Sequence, residues 1–373
     1  MMRQHFIVVN VVPQRTRPED SHKKLDEAFE LISTYTDGCG EVTHIVQQRM
    51  HPDQTTYIGK GKVQELFEYI KSHQVKTIIL NDIVSANQVY DLKMALWEAN
   101  PDIQVWDRVD LILKIFQKHA NTAEAKLQIE LASMQHMGPR IYGMGMIMSR
   151  QGGGVGNRGI GETNTERMKR HWRAEMRKTE EKLEKFQTDH KDRLSKRKEQ
   201  GVKSVAIVGY TNAGKTTIFN VLTGKAKLEK NVLFATLDSA TGYLKLGTQN
   251  QALSTLPILI TDTIGFIRNL PAKLIKAFHS TLLETIHADL LIHVVDAVDA
   301  EIEDKILAVQ TTLKQLGAEQ KPVIMVLNKI DLPPQSSLER IQAIIDKYHP
   351  ICTTAKDPSS FTILTQKIIE EVG

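Results

Sequence analysis

Four short stretches of the chain, met in order, carry residue types suited to a nucleoside triphosphate: GYTNAGKT (Gly209 to Thr216), Thr236, DTIG (Asp262 to Gly265) and NKID (Asn328 to Asp331). The first follows the apolar run from Ser204 to Val208 and precedes a helical pattern carrying Ile218, Phe219, Val221 and Leu222, which is the order strand, loop, helix. In such a loop Gly209 and Gly214 permit the angles that wrap the backbone of Tyr210, Thr211, Asn212 and Ala213, and on to Thr217, around a polyphosphate. The helix N-terminus adds its positive dipole end. Lys215 is placed to reach the β- and γ-phosphates, and Thr216 to ligate Mg²⁺. Asp262 ends the apolar strand from Ile258 to Ile260 and is expected to hold the same ion through water. Gly265 offers its N–H to a γ-phosphate, so its loop is held only while that phosphate is present.

The base is expected to be guanine. Asp331 can accept from a ring N1–H and an exocyclic amine, a donor pair that adenine does not present, while Asn328 supports the loop and the stem of Lys329 covers the base face. A site built for that pair rejects an analogue lacking it, because the carboxylate is left unpaired. Thr354-Ala355-Lys356 is a weaker fifth element, with the Ala355 N–H facing guanine O6. Where many GTPases place a glutamine to orient the attacking water, immediately after Gly265, this chain has Phe266. A benzyl group cannot hydrogen-bond water, so slow hydrolysis is expected unless a partner supplies the missing group. The catalytic residue is therefore unassigned.

These segments need a scaffold. At 373 residues the chain is too long for one ordinary core. Three domains are expected: an N-terminal α/β domain over 1–107, a helical hairpin over 108–200, and a GTP-binding domain over 201–373 with a doubly wound, mostly parallel sheet. In the first, strands at Phe6 to Val12, Glu41 to Gln47, Thr77 to Leu80 and Ile103 to Trp106 alternate with helices. Its loop from Tyr57 to Lys62 is either an anion site at a helix start or a plain surface turn.

From Val109 the pattern reads as a helix stopped by Gly138-Pro139, and then a glycine-rich segment follows over about 149–163. It carries Arg150, Gly152, Gly153, Gly154, Arg158 and Gly159, and reads as an open loop suited to phosphate. A stripe of Met168, Trp172, Met176, Thr179, Leu183 and Phe186 then marks a long amphipathic helix, with both methionines expected in the core. In the GTP-binding half, strands are expected at Tyr243 to Leu246 and Leu256 to Thr261, and a helix from Ala272 to His287.

Net charge is +4, but 14 Lys or Arg against 8 Asp or Glu lie between Asn164 and Lys203, so the rest of the chain sums to −2. Such a run is more often a solvated helix face than a nucleic-acid contact, and both readings stand. No apolar run approaches the length that spans a bilayer, and the N-terminus shows no small-residue cleavage site. Cys39 and Cys352 cannot build a disulfide framework, and a cytoplasmic monomer is expected.

Taken together, Tyr57 to Lys62, the run SRQGGGVGNRGIGET (Ser149 to Thr163), FATLD (Phe234 to Asp238) and DTIGFIRNLP (Asp262 to Pro271) resemble the HflX family of translational GTPases over nearly the whole chain. The resemblance implies a GTPase that binds the large ribosomal subunit and its RNA, helps split or recycle stalled ribosomes under stress, and is stimulated by the ribosome. It also implies that Thr236 is the switch threonine closing on Mg²⁺ and the γ-phosphate. The chain departs from the family at Ile160, where proline is usual, and at NTERMKR (Asn164 to Arg170). It ends at Gly373 without the extra C-terminal domain of some relatives. No second complete phosphate loop precedes Gly209, so ATP hydrolysis by the N-terminal domain is not expected. The readings left in competition are an RNA-binding or RNA-remodelling protein with regulatory GTP binding, and a GTPase acting on a protein partner.

Overall fold

The structure is a computed structural model that describes residues 4–372 apart from 17, 74, 152–157, 226–233, 235–239, 246–256, 269–273, 275–278 and 358. The chain forms two compact units, one of 1–118 with 127–182, the other of 119–126 with 183–373.

The first unit is built on a four-stranded, wholly parallel sheet in the order β2-β1-β3-β4, from β1 (His5–Val12), β2 (Glu41–Gln48), β3 (Thr77–Leu80) and β4 (Gln104–Asp107). Helices α1 (Pro18–Thr36), α2 (Lys60–His73) and α3 (Ala86–Leu96) make the crossovers. β1 is a β-branched run buried over nearly its whole length, as a strand covered on both faces requires. Ser85 and Gln88 close a capping box at the start of α3.

The predicted helix from Val109 to Met137 is instead two, α4 (Arg108–His119) and α5 (Ala123–Gln151). α4 ends at His119, and Thr122 starts the second helix, its hydroxyl accepting the Ala125 N–H at 3.2 Å. Gly138-Pro139 does not stop α5. A mid-helix proline costs ~3 kcal/mol, but Gly138 has no side chain to meet the ring. On either side tertiary contacts hold the helix: the Arg140 guanidinium grips Asp107 and Asp110, and the Met134 carbonyl accepts the Trp172 indole N–H at 3.1 Å.

Helix α6 (Arg158–Glu199) returns along α5. The glycine-rich loop is correspondingly shorter than expected. Residues 149–151 and 158–163 are helical, and Gly152, Gly153 and Gly154 lie outside the described residues. The stripe on α6 is buried only at Thr179 and Leu183, while Met168 is 50% exposed, so Met168 is not core.

The second unit carries a six-stranded sheet, β10-β9-β8-β5-β7-β6, from β5 (Lys203–Gly209), β6 (Ala240–Tyr243), β7 (Ile258–Asp262), β8 (Leu290–Asp296), β9 (Val323–Asn328) and β10 (Ile351–Cys352). All pairs are parallel except β6 with β7. β6 therefore falls three residues before the expected strand: antiparallel pairing sets Ala240 opposite Asp262, and by Leu244 only a single bond to the Ile258 carbonyl continues the ladder. Ile218, Phe219 and Leu222 of α7 (Lys215–Thr223) pack one sheet face together with Phe361, Leu364 and Ile368 of α11 (Ser360–Val372). Ile302 and Ile306 of α9 (Ile302–Gln315) and Ile344 of α10 (Leu338–Tyr348) pack with Met325 and Leu327 of β9. α8 (His279–His287) is the described end of the helix expected from Ala272. Among the described residues no helix is long and apolar enough to cross a membrane, and Cys39 and Cys352 are free and exposed.

Candidate nucleotide site

The strands of the second sheet end together at one edge, and the chemistry-bearing residues stand on the loops that leave it. β5 delivers Gly209 into the loop that α7 closes. Gly214 caps α7 with φ +94°, and a Cβ there would sit 2.2 Å from Asn328 Nδ2. Only glycine lets the helix start so close to the end of β9. Across that contact Asn328 Nδ2 donates to the Ala213 carbonyl at 2.9 Å and Lys329 Nζ to the Asn212 carbonyl at 2.9 Å, so NKID and the phosphate-type loop brace one another. Lys329 is aimed by Asp296 at the end of β8, 2.7 Å away. Sequence reasoning passed over Asp296; the acidic end of an apolar strand beside the NKID strand is the signal that could have found it.

Lys215 is buried, its Nζ donating to the Tyr210 carbonyl at 2.6 Å. Burial lowers the ammonium pKa to about 8, against the pull of Asp262. Directly below, His293 on β8 is buried and neutral, its pKa lowered to about 4 by burial and by Lys215. Thr216 Oγ1 donates to Asp262 Oδ2 at 2.9 Å. A hydroxyl and a carboxylate touching at the foot of the loop form a hard-oxygen pair of the kind magnesium takes alongside waters and phosphates, so these residues fit that ion. Gly265 leaves room for Lys215: a Cβ there would lie 2.9 Å from Nζ and 2.7 Å from Thr211 Cγ2.

At the other end of the loop edge, Asp331 Oδ1 accepts from Thr354 Oγ1 at 2.7 Å and Oδ2 pairs with Lys356 Nζ at 2.7 Å. The Lys356 hydrogen bond, then that from Thr354, holds the Asp331 carboxyl below its ordinary value. Thr353, just past β10, bonds the β9 backbone, its N–H reaching the Leu327 carbonyl at 2.8 Å.

Phe266 is buried and its backbone is zipped to the phosphate-type loop: Phe266 N–H donates to the Gly209 carbonyl at 3.1 Å and its carbonyl accepts the Thr211 N–H at 2.9 Å. Two residues on, the Arg268 N–H donates to Tyr210 Oη at 2.9 Å, and its guanidinium pairs with Glu301 and Asp304 at 3.1 Å each. Burial works against the Arg268 charge, but Glu301 and then the Tyr210 hydroxyl raise its pKa.

Other expected site residues fall elsewhere. Thr236 lies outside the described residues; Arg150, Arg158 and Gly159 have helical backbone. The stretch from Tyr57 to Lys62 runs from a bridge at Tyr57 into the first turn of α2 at Lys60. Its Gly59 N–H is taken by Gln47 Oε1 at 2.8 Å, and the buried Tyr57 hydroxyl donates to Asp82 at 2.6 Å.

A six-stranded, mostly parallel sheet with this loop and NKID at one edge defines a P-loop protein of the GTPase class. Comparison with known proteins agrees on the class and narrows it. Residues 22–117 match the family model described as GTP-binding GTPase N-terminal, 119–197 the GTP-binding GTPase middle region, and 204–329 the 50S ribosome-binding GTPase. GTPase HflX of Caldanaerobacter subterraneus subsp. tengcongensis is 40% identical over 330 residues, 88% of this chain and 73% of that protein. GTPase HflX of Escherichia coli strain K12 is 33% identical over 358 residues, 94% of this chain and 80% of that one. Among solved structures the SsGBP–GDP complex shares the fold, with TM-score 0.51 and 24% identity over 99% of this chain and 98% of that one. The chain belongs to the HflX family of GTPases.

Proposed function

We propose that this GTPase binds the large ribosomal subunit and promotes splitting or recycling of ribosomes under stress, with hydrolysis stimulated by the ribosome. The observation that carries the reading is Phe266, which replaces a water-orienting side chain and is buried against the phosphate loop, its backbone bonded on both sides. Arg268, the nearest guanidinium along the same segment, is held by Glu301 and Asp304. Among the described residues of this segment none offers a side chain to an attacking water, so the rate is left to a partner. The match of 204–329 to a family described as 50S ribosome-binding points to what that partner is.

In this reading the backbone of Gly209 to Ala213 and Gly214 to Thr217 cradles the phosphates, and Lys215 neutralises the β- and γ-oxygens. Thr216 and Asp262, with Thr236, hold Mg²⁺, which when bound screens the charge between those oxygens. Gly265 reports the γ-phosphate through its N–H. Asn328, Lys329 and Asp331 take the guanine edge and face, and Thr354, Ala355 and Lys356 close that end. Arg150 and Arg158, with the glycines between them, meet ribosomal RNA. The setting is the cytoplasm, where ribosomes are.

The test is GTP turnover by purified protein, alone and with purified large subunits, alongside light scattering from intact ribosomes. We expect turnover to rise sharply with large subunits and scattering to fall in GTP. Large subunits that bind but leave turnover unchanged would remove the proposal. Replacing Arg150 and Arg158 by alanine is expected to weaken ribosome binding while GTP affinity stays as it was.

A further inference from the structure

We propose that a cationic groove where α6 turns into β5, on the second unit, is a docking site for the phosphodiester backbone of folded RNA. The groove holds about 720 Å³. Lys191, Arg197 and Lys198 enter it from α6, Lys203 from the start of β5, and Lys321 from the turn before β9. Asp289 is the carboxylate on its wall. That makes five cations against one anion, drawn from three separate parts of the chain.

Two ordinary explanations account for only part of this. Cations in the last helical turn favour the helix dipole by roughly 0.3–1 kcal/mol each, which covers Arg197 and Lys198. Arg197 is further engaged with Glu284 at 3.2 Å. Neither explanation covers Lys191, two turns from the helix end, or Lys203 of β5, while Lys321 donates to the Ala288 carbonyl at 2.8 Å and brings its charge to the same wall. Gly201 forces their meeting: with φ +68° it ends α6, and the Val202 N–H bonds back to the Arg197 carbonyl at 3.0 Å, turning the chain directly into the sheet. Asp289 offsets one charge of the five, and its Oδ2 is held on the wall by the Ser204 N–H at 2.7 Å and hydroxyl at 3.1 Å. Among the described residues no carboxylate lies within ion-pair distance of Lys191, Lys198, Lys203 or Lys321. The nearby His287 registers the result, its pKa lowered by burial and then by Lys321.

Like charges gathered in a concave wall repel one another in the free protein and focus a positive field outward. The ligand that suits them is a polyanion with charges spaced along a chain. The lining is dominated by ammonium groups on flexible stems, with His287 as its one ring and no Phe, Tyr or Trp, which fits contacts that mainly position a backbone. The surplus of six positive charges between Asn164 and Lys203 thus ends in a shaped site rather than a merely solvated face.

This inference deepens the ribosome reading and rests on it for the source of the RNA. The experiment compares the full-length protein with the triple variant Lys191→Ala, Lys198→Ala, Lys203→Ala and with the matching triple Lys→Arg. Binding to purified large subunits and to a 20-base-pair RNA duplex is followed as salt is raised. We expect the alanine variant to lose affinity and its log-log salt slope on the duplex to fall by about 2.7, at about 0.9 per lost contact, the arginine variant to match the wild type, and GDP affinity to be the same in all three. An unchanged slope in the alanine variant overturns the groove while leaving the ribosome reading intact. A wild type that ignores large subunits removes the ribosome reading, and the duplex arm still decides the groove. Competition by polyglutamate but not by the duplex would overturn the choice of RNA.

Discussion

The knot that joins α5 to β4 and α4 makes the stability of the first unit sensitive to alkali, with a computable size. His136 Nε2 lies 3.1 Å from Asp107 Oδ1 and 3.3 Å from Asp110 Oδ1, and the Arg140 guanidinium pairs with both carboxylates. Burial disfavours the His136 charge, but the hydrogen bonds to Asp107 and Asp110 outweigh it and raise the pKa from 6.5 to about 9. A shift of 2.5 units is worth about 3.4 kcal/mol at 1.36 kcal/mol per unit. The imidazole keeps some contact with solvent, so we take about 2–3 kcal/mol. A raised histidine pKa stabilises fully below the unfolded value and is lost as pH climbs through the folded one, here between 6.5 and about 9. Asp110 is the opposite end of the same interaction. Burial opposes its ionisation, yet His136 and then Arg140 lower its pKa to about 2, so its share survives above 3.8 and disappears only in acid. The two shifts count one contact and are not summed.

The assay is urea unfolding followed by tryptophan fluorescence. Trp97, Trp106 and Trp172 are the chain's three tryptophans and all lie in the first unit, so Lys215, which titrates in the same range, does not contribute to the signal. Wild type should exceed His136→Gln by about 2–3 kcal/mol at pH 6 and match it near pH 10. Equal pH profiles for the two proteins would refute the charged-knot reasoning.

The nucleotide site gives three further expectations. Asp331→Asn should weaken GTP by roughly 10²-fold or more and admit xanthosine triphosphate, whose ring presents an acceptor where guanine has an amine; competition binding that shows unchanged GTP affinity counts against the base-reading role. Phe266→Gln should raise intrinsic turnover no more than a few-fold, because the backbone at 266 is bonded to Gly209 and Thr211 and directs the side chain inward; a tenfold rise in single-turnover hydrolysis would show that the side chain alone limits the rate. GTP binding should take up a proton above pH 8, since Lys215 has its pKa lowered to about 8 in the free protein and a triphosphate restores the charge. Affinity is then full below that pH and declines above it, and calorimetry at pH 9 in buffers of differing ionisation enthalpy, giving identical heats, would exclude the uptake.

Much of this was legible because the nucleotide motifs are local. Strand, glycine loop and helix are contiguous from Ser204 to Leu222, and NKID leaves an apolar strand, so neither needed tertiary information. The misreadings occurred where distant contacts overrode local preference. Pro139 sits inside α5 because Arg140 and Met134 are held from Asp107, Asp110 and Trp172, and no window around Pro139 contains those partners. Met168 has helical spacing with the buried stripe yet lies beyond the part of α6 that is covered. β6 was misplaced because a short strand whose register depends on β7 has little pattern of its own. The ties of Phe266 and Arg268 to the phosphate loop run through backbone atoms and a tyrosine hydroxyl, and sequence carries no signal for backbone bonds between separate segments.

Those ties change what the substitution at position 266 means. Loss of glutamine alone would leave a loop free to be refilled by any polar neighbour. Here the segment after DTIG is a short added strand on the phosphate loop, its first residue bridged to Tyr210 and its third hung from the Tyr210 hydroxyl, while Lys305 stands 4.9 Å over the same ring. Tyr210 thus joins the nucleotide loop to the segment 266–268 through both backbone and hydroxyl. Tyr210→Phe retains the ring and its contact with Lys305 and deletes only the acceptor for the Arg268 N–H. That bond stands beside the two on Phe266, its N–H to the Gly209 carbonyl and its carbonyl from the Thr211 N–H, among the ties that hold 266–268 to the loop.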